Sequence, residues 1–294
     1  MKVLRSYGGG IIDAILEPKM MFVLWLRNFI FGLFIFYLLL RLLSGAMGKT
    51  VFAESLSFDI NILFDLLVHH GQSYSMIISA GIILIVLYFL VSIFLYGGIL
   101  SILTLPPEAK EEKRRFAQIF FQGAGKYFGR FFRLSIYSLL LWAVFILINL
   151  LLNPLGKLLT GDGTNERTAF YLLWIRLAIG LFLVFLIRMI LDYSRIEIVI
   201  LDSRSIFLSL FKAIKFVFQN FGKTLALYYL LVLTGIALIS VFWLLKSYLP
   251  SFSSPWLTIL VPLVVAQLYI FFRAWLKIAF QSAQLVFYIR LSAI

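Results

Sequence analysis

Two pairs of charged side chains stand within apolar runs at the same spacing: Arg188 with Asp192, and Arg273 with Lys277. Residues four apart share one face of a helix, so each pair is presented together. A charge at the centre of a bilayer costs roughly 2.5–3.5 kcal/mol on insertion scales, so such residues pair, line wet cavities or serve a site. Arg188 has a local partner in Asp192. Arg273 and Lys277 have no acidic partner on their own run, which leaves Asp192 or Glu197 to be shared across helices. Gln267, Gln281, Ser282 and Gln284 add polar groups nearby. Three cations with one carboxylate suit an oxyanion, so the four are candidate contacts for a lipid phosphate or another anion. The simpler alternative is snorkelling: long cationic side chains near a helix end reach the headgroups unaided.

Arg176 is the other intramembrane charge, about nine residues into its run from the opposite side, where snorkelling is harder. Asn149 and Asn153 are its candidate partners. His69 and His70 follow Asp65 by four and five positions in "TVFAESLSFDINILFDLLVHHG". Adjacent histidines do not share a helix face, and zinc takes three or four ligands, so no metal site is expected. Phe58, Ile62 and Leu66 with one of the histidines suit a helix lying on the outer leaflet instead. "GAGK" (Gly123 to Lys126) lacks the earlier Gly and the following Ser or Thr of a phosphate-binding loop. Gly125 and Gly129 form a GxxxG in a basic segment, where its packing signal is weak. Neither HExxH nor GxSxG occurs, and the absence of cysteine excludes disulfides and thiolate catalysis. No catalytic residue and no cofactor are assigned, and the chain reads as a non-enzyme.

The elements that position these groups follow from composition. Of 294 residues, 63% are hydrophobic and 13% charged, with a mean hydropathy of +1.03. Soluble domains carry about 25% charged residues. Several apolar runs reach the roughly 20 residues that cross a bilayer core of about 30 Å. Their lack of alternation argues against a β-barrel. Six spans are expected, at 20–43, 76–104, 133–153, 168–191, 224–246 and 256–277. The fold class is therefore all-α: a polytopic membrane helix bundle with short amphipathic interfacial helices. The first run is too long for a signal peptide and is expected to remain as an anchor.

Charge sets the expected orientation. Lys110, Lys113, Arg114, Arg115, Lys126, Arg130 and Arg133 precede span three. Arg195, Arg204, Lys212, Lys215 and Lys223 lie between spans four and five, and Lys2, Arg5 and Lys19 precede span one. The alternate loops are poorer in Lys and Arg. The positive-inside rule places the basic set, and both termini, in the cytoplasm. The expected location is a prokaryotic cytoplasmic (inner) membrane. The net charge of +13 then reflects anionic lipid at that face, and nucleic acid is not an expected partner.

The basic segments echo each other. In "FQGAGKYFGRFFRL" (Phe121 to Leu134) and "FKAIKFVFQNFGKT" (Phe211 to Thr224), Phe121 matches Phe211, Phe128 matches Phe218, Phe131 matches Phe221 and Arg133 matches Lys223. A fainter copy, "ILEPKMMFVLWLR" (Ile15 to Arg27), is interrupted by Pro18. One integral membrane domain, 1–294, thus divides into possible repeats at 10–105, 106–192 and 203–290, each an interfacial helix and two spans. Phe116, Phe120, Ala124, Tyr127 and Phe131 fall on one helix face, with Gln122, Lys126 and Arg130 on another. Phe207, Phe211, Ile214, Phe218 and Phe221 form the later stripe. Rings at the acyl boundary and cations at the phosphates describe a helix lying in the interface.

The succession "YGGILSIL" (Tyr96 to Leu103), "FFQGAGKYFGRFFRL" (Phe120 to Leu134) and "RMILDYSRIEIVILDSRSIFLSLFKAIKFVFQNFGKTL" (Arg188 to Leu225) resembles a broad group of prokaryotic six-span membrane proteins. The group is mostly uncharacterised and includes the membrane domains found ahead of some glycerophosphodiester phosphodiesterases. The likeness covers most of the chain, which leaves no room for the phosphodiesterase domain. It implies a fold and an association with membrane lipids or a membrane complex, and it carries over no catalytic residue.

Two functions are expected from these features. The first is a non-catalytic subunit or scaffold of a membrane complex, with protein partners and inner-leaflet contacts to anionic lipid. The second is a transporter or permease component that couples to a separate ATPase or moves a lipid or anion. Against the second, transporter helices are usually broken by Gly or Pro at mid-membrane, and these spans are nearly unbroken.

Overall fold

The computed structural model describes residues 2–47, 71–106, 116–160, 166–248 and 255–292. Among them are eight α-helices and no strand. They are α1 (Lys2–Leu16), α2 (Pro18–Met47), α3 (Gly71–Leu103), α4 (Phe116–Thr160), α5 (Glu166–Ile200), α6 (Ile206–Gln219), α7 (Phe221–Ser247) and α8 (Pro255–Ser292). Six of them are long and apolar enough to cross a membrane: α2, α3, α4, α5, α7 and α8. This is the multi-pass all-α bundle expected from the runs of hydropathy. His69, His70 and Asp65 lie outside the described residues.

Local chemistry sets the breaks. Pro18 opens α2, a position where its missing N–H would have had no helical partner anyway. α3 ends at Leu103, three residues before Pro106, as the restriction ahead of proline requires. Asp202 turns the chain between α5 and α6 with φ of 47°, a left-handed conformation that Asp tolerates better than most residues. Ser205 takes the N-cap position of α6 in extended conformation, without a side-chain cap bond.

Most helices extend beyond the expected span ends. α4 has 45 residues, about 68 Å at 1.5 Å per residue, more than twice a bilayer core. The segment expected as a separate interfacial helix, Phe116 to Phe131, is continuous with span three. Its aromatic stripe does fall on one face, but that face packs inside the protein instead of lying on lipid. Phe120, Ala124, Tyr127, Phe131 and Leu134 are buried in the protein core. The physical reason is on α3. Gly97 packs against Gly123 and Ala124, and Gly98 against Phe120, so the two backbones approach closely. Gly125 and Gly129, the GxxxG pair, face open space. α6 does stand as a separate helix. It buries Ile206, Ser209, Leu210, Ala213 and Val217, and leaves Phe207, Phe211 and Phe218 exposed.

The core lies at one end of the bundle. Buried side chains come from the start of α2, the end of α3, the starts of α4 and α7, the end of α5 and the later part of α8. Leu139, Leu140, Leu147 and Leu150 on α4, and Leu173, Trp174 and Leu177 on α5, are exposed in the other half. The packed end also carries most of the cations. Its most extensive contacts are those of α4 with α3, α1 with α8 and α6 with α5, so the chain's first helix packs on its last.

Candidate functional site

Four helices converge on Tyr96 at the packed end. The Arg195 guanidinium of α5 and the Lys277 ammonium of α8 each stand 4.5 Å from the centroid of its ring. Such contacts hold a cation by the ring quadrupole. Arg27 of α2 is 7% exposed, lies 4.7 Å from the Tyr88 ring centroid on α3, and donates to Ser92 Oγ at 3.1 Å and Asn28 Oδ1 at 2.8 Å. α3 presents Tyr88, Ser92 and Tyr96 on one face because they recur every four residues.

The expected pairing of Arg188 with Asp192 is corrected by the geometry. Asp192 Oδ1 accepts from Arg195 at 2.9 Å, an i, i+3 contact. Arg188 is exposed, acts on Asp192 only through space, and lies beside Tyr228. Sharing across helices does occur. Lys277 of α8 lies within electrostatic reach of Asp192 and of Arg27, Arg195 and Arg273. Glu197, the other acidic candidate, turns away from α8 and meets Lys212 of α6 at 3.6 Å. All four candidate anion contacts thus belong to one neighbourhood, but Arg27, Tyr96 and Arg195 complete it. Arg27 was readable as a charge nine residues after Pro18 in an apolar run. Tyr96 and Arg195 gave no such signal, since a tyrosine near an interface and a loop arginine are ordinary.

Three cations, Arg195, Arg188 and Lys277, act on the Asp192 carboxylate, and Arg27 and Arg273 act on Lys277 in turn. Two amides face the same place. Gln281 faces Tyr96 and Gln284 faces Asp192, but Gln281 Nε2 and Oε1 and Gln284 Nε2 are buried without a well-formed hydrogen bond. The other polar groups of α8 are used structurally: Gln267 accepts from Trp25 at 3.1 Å and Ser282 donates to Asp13 at 2.7 Å.

Most of the interfacial basic residues are exposed, and three of them, Lys126, Arg130 and Lys212, are paired with carboxylates. Lys126 and Arg130 of α4 clamp Asp202 at 3.0 and 2.6 Å, and Arg130 also donates to the Ser203 carbonyl at 3.2 Å. Hydrogen bonds from Lys126 and Arg130 hold the Asp202 carboxyl below the usual carboxylate range. Arg133 donates back to the Gly129 carbonyl at 3.2 Å. Lys212, Lys215 and Lys223 are exposed, beside the bare rings of Phe207, Phe211 and Phe218.

Arg176 is exposed on the opposite half of α5. Its candidate partner Asn149 donates to its own helix at Phe145 O, 2.9 Å away, and turns its Oδ1 toward Gly180. Asn153's side chain lies outside the described ones. Among the described residues, no group of three His, Asp or Glu side chains is placed to hold a metal. No family model, curated protein or solved structure matches the chain.

Proposed function

We propose that this protein is a non-catalytic subunit or scaffold of a membrane complex that binds anionic lipid at its packed, basic end. The observation that carries this reading is the structure of α6. Its inner face is packed on α5, while Phe207, Phe211 and Phe218 remain exposed beside exposed Lys212 and Lys215. Aromatic rings next to ammonium groups suit the acyl boundary and the phosphates above it. The cytoplasmic leaflet supplies the matching charge, at about 1 kcal/mol per Lys or Arg near the surface. The resemblance of the sequence to mostly uncharacterised six-span membrane proteins, some of them domains ahead of glycerophosphodiester phosphodiesterases, accords with that role. Gentle extraction at native expression level, followed by native mass spectrometry, tests it. A stoichiometric protein partner with retained anionic lipid is expected. A partner-free protein carrying only neutral lipid overturns the reading.

A second reading has its own support. The cations between α2, α3, α5 and α8 face the bundle interior, where charges commonly mark a substrate path. A permease component that moves a lipid or anion would use them, and copurification of an ATPase would favour it.

A further inference from the structure

We infer that the junction of α2, α3, α5 and α8 is a binding site for a phosphate-type oxyanion, built from Arg27, Arg195 and Lys277 with Gln281 and Gln284. The inference deepens the anionic-lipid reading by moving its most specific contact from the surface to the interior, and it stands without any protein partner.

The first ground is charge. Arg195 is matched by Asp192 at 2.9 Å. Arg27 and Lys277 act on each other, and Asp192 is the carboxylate that acts on Lys277. Like charges held together in a poorly solvated place repel, and an anion between them relieves the repulsion. The second ground is independent of charge. Gln281 and Gln284 are 4% and 2% exposed; each faces one protein group, Tyr96 and Asp192, short of a well-formed hydrogen bond, so their amides keep unused hydrogen-bonding capacity. Buried amides without partners are uncommon because they forfeit the hydrogen bonds that water gave them. Amide N–H donors beside guanidinium and ammonium groups are the set that holds a phosphate oxygen. The Oε1 of Gln281 fits a protonated oxygen on the same group.

The third ground is access. Arg188 and Arg273 lie four residues from Asp192 and Lys277 on their helices and are exposed. Both act electrostatically on the buried groups, Arg188 on Asp192 and Arg273 on Lys277. They form an outer tier through which an anion reaches the junction from the loosely packed half. A free phosphate and a lipid headgroup present the same chemistry to these donors.

The test uses the purified full chain in neutral detergent, read by its thermal unfolding midpoint. Inorganic phosphate is one probe, and phosphatidylcholine vesicles with or without phosphatidic acid are the other. A midpoint rise with inorganic phosphate identifies a soluble anion, and a rise only with phosphatidic acid identifies a lipid headgroup. No rise with either overturns the inference. Lys277→Met and Arg27→Met are each expected to weaken the response roughly tenfold or more, as loss of a charge-assisted contact does. Gln281→Leu keeps the control on folding: removal of an unpartnered amide leaves the free protein at least as stable, while the ligand response falls. A response retained in both Lys277→Met and Gln281→Leu overturns the inference. Lys215→Gln with Lys223→Gln separates the two readings. The interior site predicts an unchanged response to inorganic phosphate in that variant, and a phosphate response lost there assigns binding to the α6 surface instead. Phosphate binding by a protein that copurifies with no partner removes the subunit reading and leaves the interior site standing.

Discussion

Gly10 of α1 lies directly against the main chain of Ala283 on α8. A Cβ at Gly10 would meet backbone, which cannot turn aside as a flexible side chain can. Gly123 of α4 lies as closely against the Ser101 side chain of α3, whose Oγ is tied to the Gly97 carbonyl at 2.8 Å. Both contacts lie in the two most extensive helix pairings, α1 with α8 and α4 with α3. In membranes, small residues at crossings allow the close backbone approach on which helix association depends.

Gly10→Ala and Gly123→Ala are each expected to destabilise the protein by about 1–3 kcal/mol, the cost of overpacking a close contact. Gly125→Ala is the matched control on the same helix. Nothing lies within 4 Å of its added Cβ, so helix propensity alone acts and favours alanine by up to about 1 kcal/mol. Thermal unfolding in a mild detergent distinguishes the three. Equal effects at Gly123 and Gly125 would remove close packing as the cause.

The Glu197–Lys212 contact fixes α6 to α5 and predicts an asymmetry. Glu197 is 2% exposed, its Oε1 is 3.6 Å from Lys212 Nζ, and its Oε2 has no partner. Lys212→Met leaves a buried carboxylate without its cation, a change that costs about 1–3 kcal/mol or more. Glu197→Gln in the Lys212→Met background removes the charge and recovers most of that loss. A double-mutant cycle checks it, and additive losses would mean that the two residues act separately.

Asp202 combines a charge role with a backbone role. Its carboxyl is held below the usual range by Lys126 and Arg130, so the folded state binds the proton less tightly than the unfolded chain. The stabilisation is therefore fully present above the ordinary carboxylate pKa of about 3.9 and is lost as pH falls through the lower folded value. Because Asp202 is more than half exposed, the pair contributes at most about 1 kcal/mol. Asp202→Asn removes the charge but keeps a residue that tolerates φ of 47°. Asp202→Val adds backbone strain of about 1–2 kcal/mol. An acid-unfolding series on the three proteins separates these terms: Asn should flatten the acid limb, and Val should lower stability at every pH.

Much of this architecture was legible because hydropathy and helix periodicity are local. The six runs, the stripe Phe116–Phe120–Ala124–Tyr127–Phe131 and the i, i+4 charge pairs needed only spacing. What each face met was not local. The aromatic stripe of α4 has the composition of a lipid-lying helix, and only the Gly97–Gly98 groove on α3 turns it into core. Likewise Asp192 had two arginines within one helical turn, at 188 and 195, and side-chain direction rather than spacing chose Arg195. Arg27 stands out as a charge in an apolar run, but spacing alone does not show that it turns inward to Tyr88 and Ser92.

Orientation rests on charge, and the chain's lack of cysteine makes it measurable. The packed end holds α6 with exposed Lys212 and Lys215, whereas Tyr248, 82% exposed at the end of α7, marks the opposite end. α7 has 27 residues, about 40 Å at 1.5 Å per residue, enough to separate the two ends across a bilayer core. Basic residues near span ends stay on the cytoplasmic side. In intact cells an impermeant maleimide should therefore label Tyr248→Cys at once and Lys215→Cys only after permeabilisation. The reverse order would place α6 and its lysines outside, away from the anionic cytoplasmic leaflet, and would remove the electrostatic basis for lipid contact there. Labelling of both in intact cells would mean that α7 does not span the membrane, and the six-pass arrangement would fail with it.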